Sequence, residues 1–227
     1  MTNTTMTNMT HSNPDPSTST FTDGDPRPLF AKAVDLGGQV IAGVRPDQLH
    51  DPTPCSQYDV ETLLAHLVGV LRRVAALGRG EDALALAPFV HGVAADGWTE
   101  AWAAAAHDVQ QAWSSGATLA RTVRVPWGET SGGAALGVYV GEVTTHTWDL
   151  ATATGQHPAW DDDVVRAALA ATRQALPAEN RTQRFREAIE KMPPERRPSG
   201  LPFAEAVEVP ADAPPIHQLV AWNGRRP

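Results

Sequence analysis

The sequence predicts a mainly α protein, built as a helical bundle with a small C-terminal α+β appendage. Three observations carry that prediction. Apolar residues recur at helical spacing through several long windows. Proline- and glycine-bearing joints separate those windows. Almost no segment alternates apolar and polar residues in the two-residue rhythm of a half-buried strand.

The elements follow in order. Residues 1–25 are rich in Thr, Asn, Ser, Asp and Pro and nearly free of apolar side chains. Such a segment cannot bury enough surface to offset the entropy of ordering it, so it reads as a disordered tail. A first helix is expected from about Pro28 to Gly43, where Leu29, Ala33, Leu36, Val40 and Ile41 recur near the helical period. Pro46 and the run Pro52-Thr53-Pro54-Cys55 then impose a loop. Ser56 and Asp59 offer N-caps for a second helix, whose apolar face carries Val60, Leu63, Leu64, Leu67, Leu71 and Val74. Gly78 and Gly80 mark its end.

A third helix is expected from Trp98 to Arg121, with Trp98, Trp102, Val109 and Trp113 inward. A fourth spans about Gly133 to Thr154, with Gly137 and Gly141 small enough to let a neighbouring helix come close. Asp161 to Asp163 place negative charge at the start of a fifth, which Pro177 ends. The bundle therefore occupies 26–177 and a smaller segment 178–227. Within that segment Val207-Glu208-Val209 reads as a short strand and Ala213 to Trp222 as a last short helix.

Composition narrows the function. The 227 residues carry a formal net charge of -8, which argues against general binding to nucleic acid or to an anionic membrane. No apolar run approaches the roughly 20 residues of a membrane span. The single cysteine, Cys55, excludes an intramolecular disulfide and any cysteine-cluster metal site. That usage suits a reducing cytoplasm, and no secretory leader is apparent. Nothing in the composition fixes the oligomeric state, which leaves room for a homodimer.

The chemistry concentrates on the fourth helix. Tyr139, Glu142, His146 and Asp149 form a polar stripe at i, i+3, i+7 and i+10 among Val138, Val140, Val143, Trp148 and Leu150. Glu142 and His146 are four apart, so their Cβ atoms stand about 5–6 Å apart on one face. A carboxylate and an imidazole so placed can share one divalent cation. A generic Glu-x-x-x-His is most often a weak surface pair. The apolar neighbours here argue for burial, where a glutamate needs a partner.

His66, on the second helix, is a third candidate ligand, although spacing alone cannot join it to Glu142. Two histidines and one carboxylate would leave coordination positions open for chemistry. Asp149 can serve as a ligand itself, as the acid that orients His146, or as a surface acid. Cys55 precedes a helix start, where a thiolate is favoured, but no histidine adjoins it in sequence to activate it.

Several runs recur together in one known family: Pro52-Thr53-Pro54-Cys55-Ser56-Gln57-Tyr58-Asp59-Val60, Leu63-Leu64-Ala65-His66-Leu67, His146-Thr147-Trp148-Asp149-Leu150-Ala151, and the ending Gly224-Arg225-Arg226-Pro227. They resemble the metal-binding family of mycothiol-dependent maleylpyruvate isomerase, within the DinB-like superfamily, over about residues 28–227. Tyr58 departs from the tryptophan usual there.

The resemblance implies a DinB-like four-helix bundle holding a divalent metal, usually zinc. His66, Glu142 and His146 would be the ligands. It also implies a low-molecular-weight thiol such as mycothiol as cosubstrate. The expected function is a metal-dependent thiol S-transferase or isomerase acting on an electrophilic small molecule. A non-haem iron oxygenase shares the two-histidine, one-carboxylate composition. A non-catalytic, metal-stabilised binding or stress protein is the third reading. Arg225 and Arg226 are expected either near the mouth, holding an anionic part of thiol or substrate, or in a solvated tail.

Overall fold

The computed structural model describes residues 24–191 and 204–227. The tail expected at 1–25 lies almost wholly outside the described residues. The described chain is mainly α, with eight helices and one small antiparallel hairpin.

Four helices close a ring. Helix α1 (Arg27–Ala42) packs on α3 (Trp98–Ala112) and α5 (Gly132–Ala153). Helix α2 (Val60–Arg79) packs on the same two. Helix α6 (Asp162–Ala175) lies outside the ring against α5 and α1, and α8 (Pro215–Trp222) covers α6 and α5.

The local signals explain most of the ends. The Asp59 carboxylate accepts the Thr62 N–H at 2.8 Å and caps α2, so of the two expected caps it is Asp59 that acts. Gly80, in the left-handed region at φ 77°, closes that helix. Asp161 caps α6 through the N–H groups of Asp163 and Val164. All six apolar residues expected on the α2 face are buried. Each of its four leucines contributes about 1.5–3 kcal/mol by leaving water. Two tryptophans of the third helical stretch also tie the ring by hydrogen bonds: Trp102 donates to Val34 O at 3.2 Å and Trp113 to Val74 O at 2.8 Å. A Cβ on Gly141 would meet Thr172 Oγ1 at 2.8 Å, so glycine there does permit the close approach of α6.

Four expectations require correction. Helix α3 stops at Ala112, well short of Arg121. Ser114 Oγ donates to Gln111 O and Ser115 Oγ accepts the Ala117 N–H, and such bonds compete with helix continuation. The chain then forms the single turn α4 (Ala117–Ala120) and a hairpin of β1 (Thr122–Val125) and β2 (Gly128–Ser131). The β structure is therefore here, between α4 and α5. Val207 to Val209 are irregular, with the Val207 N–H donating to Ala221 O. Helix α7 (Arg181–Glu190) was not expected. Its first residue, Arg181, is fully buried and donates to the carbonyls of Pro177, Ala204 and Trp222. That arginine joins the C-terminal segment to the end of α6. Among the described residues no helix is long and apolar enough to cross a membrane.

Candidate metal centre

The stripe on α5 faces α2. Glu142 stands between the two histidines: His66 Nε2 lies 3.1 Å from Glu142 Oε1, and His146 Nε2 lies 3.5 Å from the same oxygen. One donor atom from each of the three falls within 4.8 Å of the others. The imidazoles cross almost at right angles, with centroids 5.0 Å apart and an interplanar angle of 81°. Tyr58 packs on His66 at 5.4 Å and Phe89 at 5.5 Å. The residue at the family's usual tryptophan position therefore forms part of the wall around the histidines.

Behind His146 lies a second layer of charge. His146 Nδ1 is 3.0 Å from Asp149 Oδ2. Asp149 is wholly buried, and Arg225 donates to both its oxygens, Nε to Oδ1 at 3.1 Å and Nη2 to Oδ2 at 2.7 Å. Arg225 Nη1 donates to Asn223 O at 2.8 Å. This alters the sequence expectation for Arg225. It lines the cavity, but its guanidinium is committed to Asp149 and to a backbone carbonyl rather than free for a substrate anion. Chain-terminal arginines read as solvated. No local signal shows that Asp149, 76 residues away, would draw one inward.

The electrostatics follow from these contacts. Burial opposes the charged form of Glu142, yet His146 and His66 outweigh it and hold the carboxyl well below its usual range. Burial likewise opposes a charged His146, but Glu142 and Asp149 prevail and push the imidazole up to about 9. Burial would raise the Asp149 carboxyl, and contacts from His146 and Arg225 lower it instead. Cys55 behaves differently. Burial pushes its thiol up to about 11, so it is no ready nucleophile at neutral pH.

Cys55 does stand with His146 and Asp149 in a second group of close donor atoms. There the carboxylate already carries Arg225, a fixed positive neighbour that opposes a cation. The set His66, Glu142 and His146 fits a divalent ion better. Its donors are two nitrogens and one oxygen from two helices, and Asp149 backs one imidazole as carboxylates commonly do. The other imidazole has no such support, since His66 Nδ1 is buried without a hydrogen-bond partner.

The cluster opens onto a cavity of about 370 Å³, within the range of small-molecule sites. Its walls come from α2, α5, α6, α7, the hairpin turn and the C-terminal residues. A second cavity, of about 270 Å³, lies between α1 and α6 and has no histidine in its lining. Sequence reasoning missed the hairpin residue Trp127 and the α7 residue Phe185 as cavity walls. The Pro126-Trp127-Gly128 turn was the available signal for the first.

A model of the mycothiol maleylpyruvate isomerase N-terminal domain matches residues 30–151, and the chain belongs to that family. The matched span contains His66, Glu142, His146 and Asp149 but not Arg225. Uncharacterized proteins from two strains of Mycobacterium tuberculosis are each 33% identical to this chain over 201 residues, covering 88% of it and 98% of the relative. No solved structure matches.

Proposed function

We propose that the protein is a divalent-metal-dependent enzyme that joins a small thiol to an electrophilic carbon, either as a thiol S-transferase or as a thiol-assisted isomerase. Zinc is the proposed ion, mycothiol the proposed thiol, and His66, Glu142 and His146 the proposed ligands. One observation carries the reading: three donor atoms from α2 and α5 converge at the wall of a cavity large enough for small molecules. Membership of a family named for a mycothiol-dependent isomerase supports the thiol.

Each residue has a distinct task. Asp149 accepts from His146 Nδ1, which leaves the Nε2 lone pair aimed at the cluster. Glu142 supplies the single negative charge, so a divalent ion with these three ligands retains a net positive charge. Tyr58 and Phe89 pack against His66 and keep its ring in place. A divalent ion bound there would supply a Lewis acid that acidifies a coordinating thiol. Addition of the thiolate across a carbon–carbon double bond, with the thiol's proton passing to the neighbouring carbon, gives a thioether. Where the thiolate is instead expelled after rotation about that carbon–carbon bond, the double bond re-forms and the product is an isomer.

Metal analysis after zinc loading tests the ligands. Wild type is expected to hold one equivalent, and His66→Ala, Glu142→Gln and His146→Ala each to lose most of it. Calorimetry with mycothiol, in buffers of different ionisation enthalpy, tests the thiol. A buffer-dependent heat is expected only for the metal-loaded protein. Full metal content in His146→Ala would refute the ligand set. Absence of thiol binding at millimolar concentration would refute the transferase reading. Oxygen uptake when O2 is admitted after anaerobic Fe(II) loading would favour the oxygenase.

A further inference from the structure

We propose that the cavity wall beyond the cluster is a binding site for the flat, apolar body of the electrophile, with Trp127 as the residue that selects it. The inference rests on the reading that the cluster performs the chemistry, and it identifies the class of molecule brought there. Trp127 is half exposed, at 50%, and Leu86 is the other exposed large hydrophobic side chain among the described residues. What distinguishes Trp127 from Leu86 is that it lines the cavity.

Trp127 occupies the two-residue turn between β1 and β2. Val125 pairs with Gly128 across the turn, and the buried Val123 and Val125 anchor β1 to the body of the protein. Gly128 has φ 131°, a conformation open to glycine, and Pro126 restricts the residue on the other side of Trp127. The backbone of the turn is thus held in place, and its Trp127 lines the cavity rim. Its ring centroid lies 5.6 Å from that of Tyr139, tilted by 54°. Tyr139 sits one helical turn before Glu142 on the same face of α5, so an aromatic wall runs from the rim to the cluster. Val70, Val138, Leu176 and Phe185 make the remaining surface largely apolar.

Charge points the same way. Besides the cluster, the charged side chains lining the cavity are Arg73 and Arg225. Arg73 donates Nε and Nη2 to the Leu86 carbonyl, at 3.1 and 2.6 Å. Arg225 serves Asp149. Neither presents a free fork to a carboxylate, so the wall beyond the cluster offers a polyanionic electrophile no arginine partner, whereas an aryl group finds a face to stack on.

The test is equilibrium binding, followed by fluorine NMR, of 4-fluorobenzyl alcohol and of 2,2-difluorosuccinate to the full chain. Each is measured with zinc loaded and again with a chelator present. The aryl probe is expected to bind saturably in both states and, with the chelator present, so that no ion can coordinate a carboxylate, more tightly than the dianion. Trp127→Ala should weaken aryl binding about 2- to 12-fold, the span of one aromatic contact. Trp127→Phe should stay within about twofold of wild type, and Leu86→Ala should match wild type. Thermal melts confirm that the variants fold.

No saturable aryl binding, unchanged affinity in Trp127→Ala, or tighter binding of the dianion with the chelator present would each overturn the proposal. A Trp127→Ala change that alters only self-association, with aryl affinity intact, would overturn it in favour of a docking role. Because the chelated arm does not require the metal, failure of the metal reading and failure of this site give different results.

Discussion

Arg225→Ala removes the counter-charge of the most deeply buried acid in the site. Asp149 has no exposed side-chain surface and Arg225 only 10%. The change deletes two of the three hydrogen bonds that hold the carboxylate and leaves His146 Nδ1 as its remaining partner. Stranding one member of a buried pair costs about 3–5 kcal/mol. For a chain of this size the melting temperature should fall by about 6–20 °C, at about 2–4 °C per kcal/mol. The assays are thermal and urea unfolding of chelator-treated protein, so that metal binding does not add its own stabilisation. Asp149→Asn in the Arg225→Ala background removes the stranded charge. The double variant should therefore lose less than the two single losses combined, with a coupling of about 1–3 kcal/mol. Arg225→Lys keeps the charge but not the two-pronged contact and should fall between wild type and Arg225→Ala. A loss below about 1 kcal/mol, well under the cost of a stranded buried charge, or strict additivity in the cycle, would show that Asp149 does not depend on Arg225.

Two further outcomes concern the ion. Asp149→Asn should weaken metal affinity about 10- to 100-fold while leaving full occupancy at saturating metal, because the amide orients His146 less firmly; complete loss of binding at saturation would make Asp149 a ligand. Metal affinity should also rise with pH and level off near the His146 value of about 9, since the folded protein retains that proton until then and the ion must displace it. An affinity constant from pH 6 to 9 would contradict the cluster as drawn.

What the sequence revealed and what it withheld divide by sequence distance. The α5 stripe was readable because Glu142, His146 and Asp149 lie within eight positions, and helical geometry alone puts them on one face. Asp59 and Asp161 announced their helix starts for the same local reason. His66 lies 76 positions from Glu142, and only its resemblance to a known family connected the two. The hairpin escaped because each strand has four residues, and Thr122-Val123-Arg124-Val125 contains too few alternations to outweigh the helical window before it. Helix α7 escaped because Phe185 and Ile189 are its large apolar side chains, too few for a face.

The same division explains why Arg225 was open to misreading and what it does. Four charged or chargeable groups stand in sequence of contact: Glu142 on His146, His146 on Asp149, Asp149 on Arg225. Ordered this way the charges alternate, with His146 protonated at neutral pH while no ion is present. Each buried charge is then balanced by its neighbours, which is the condition for keeping so many of them out of water. Arg225 is the last member and comes from the last three residues of the chain. The C-terminal segment therefore completes the balance of a cluster that otherwise belongs to α2 and α5. A divalent ion bound in place of the His146 proton would replace one positive charge with two. The Asp149–Arg225 pair would then remain as the internally neutral support behind the imidazole.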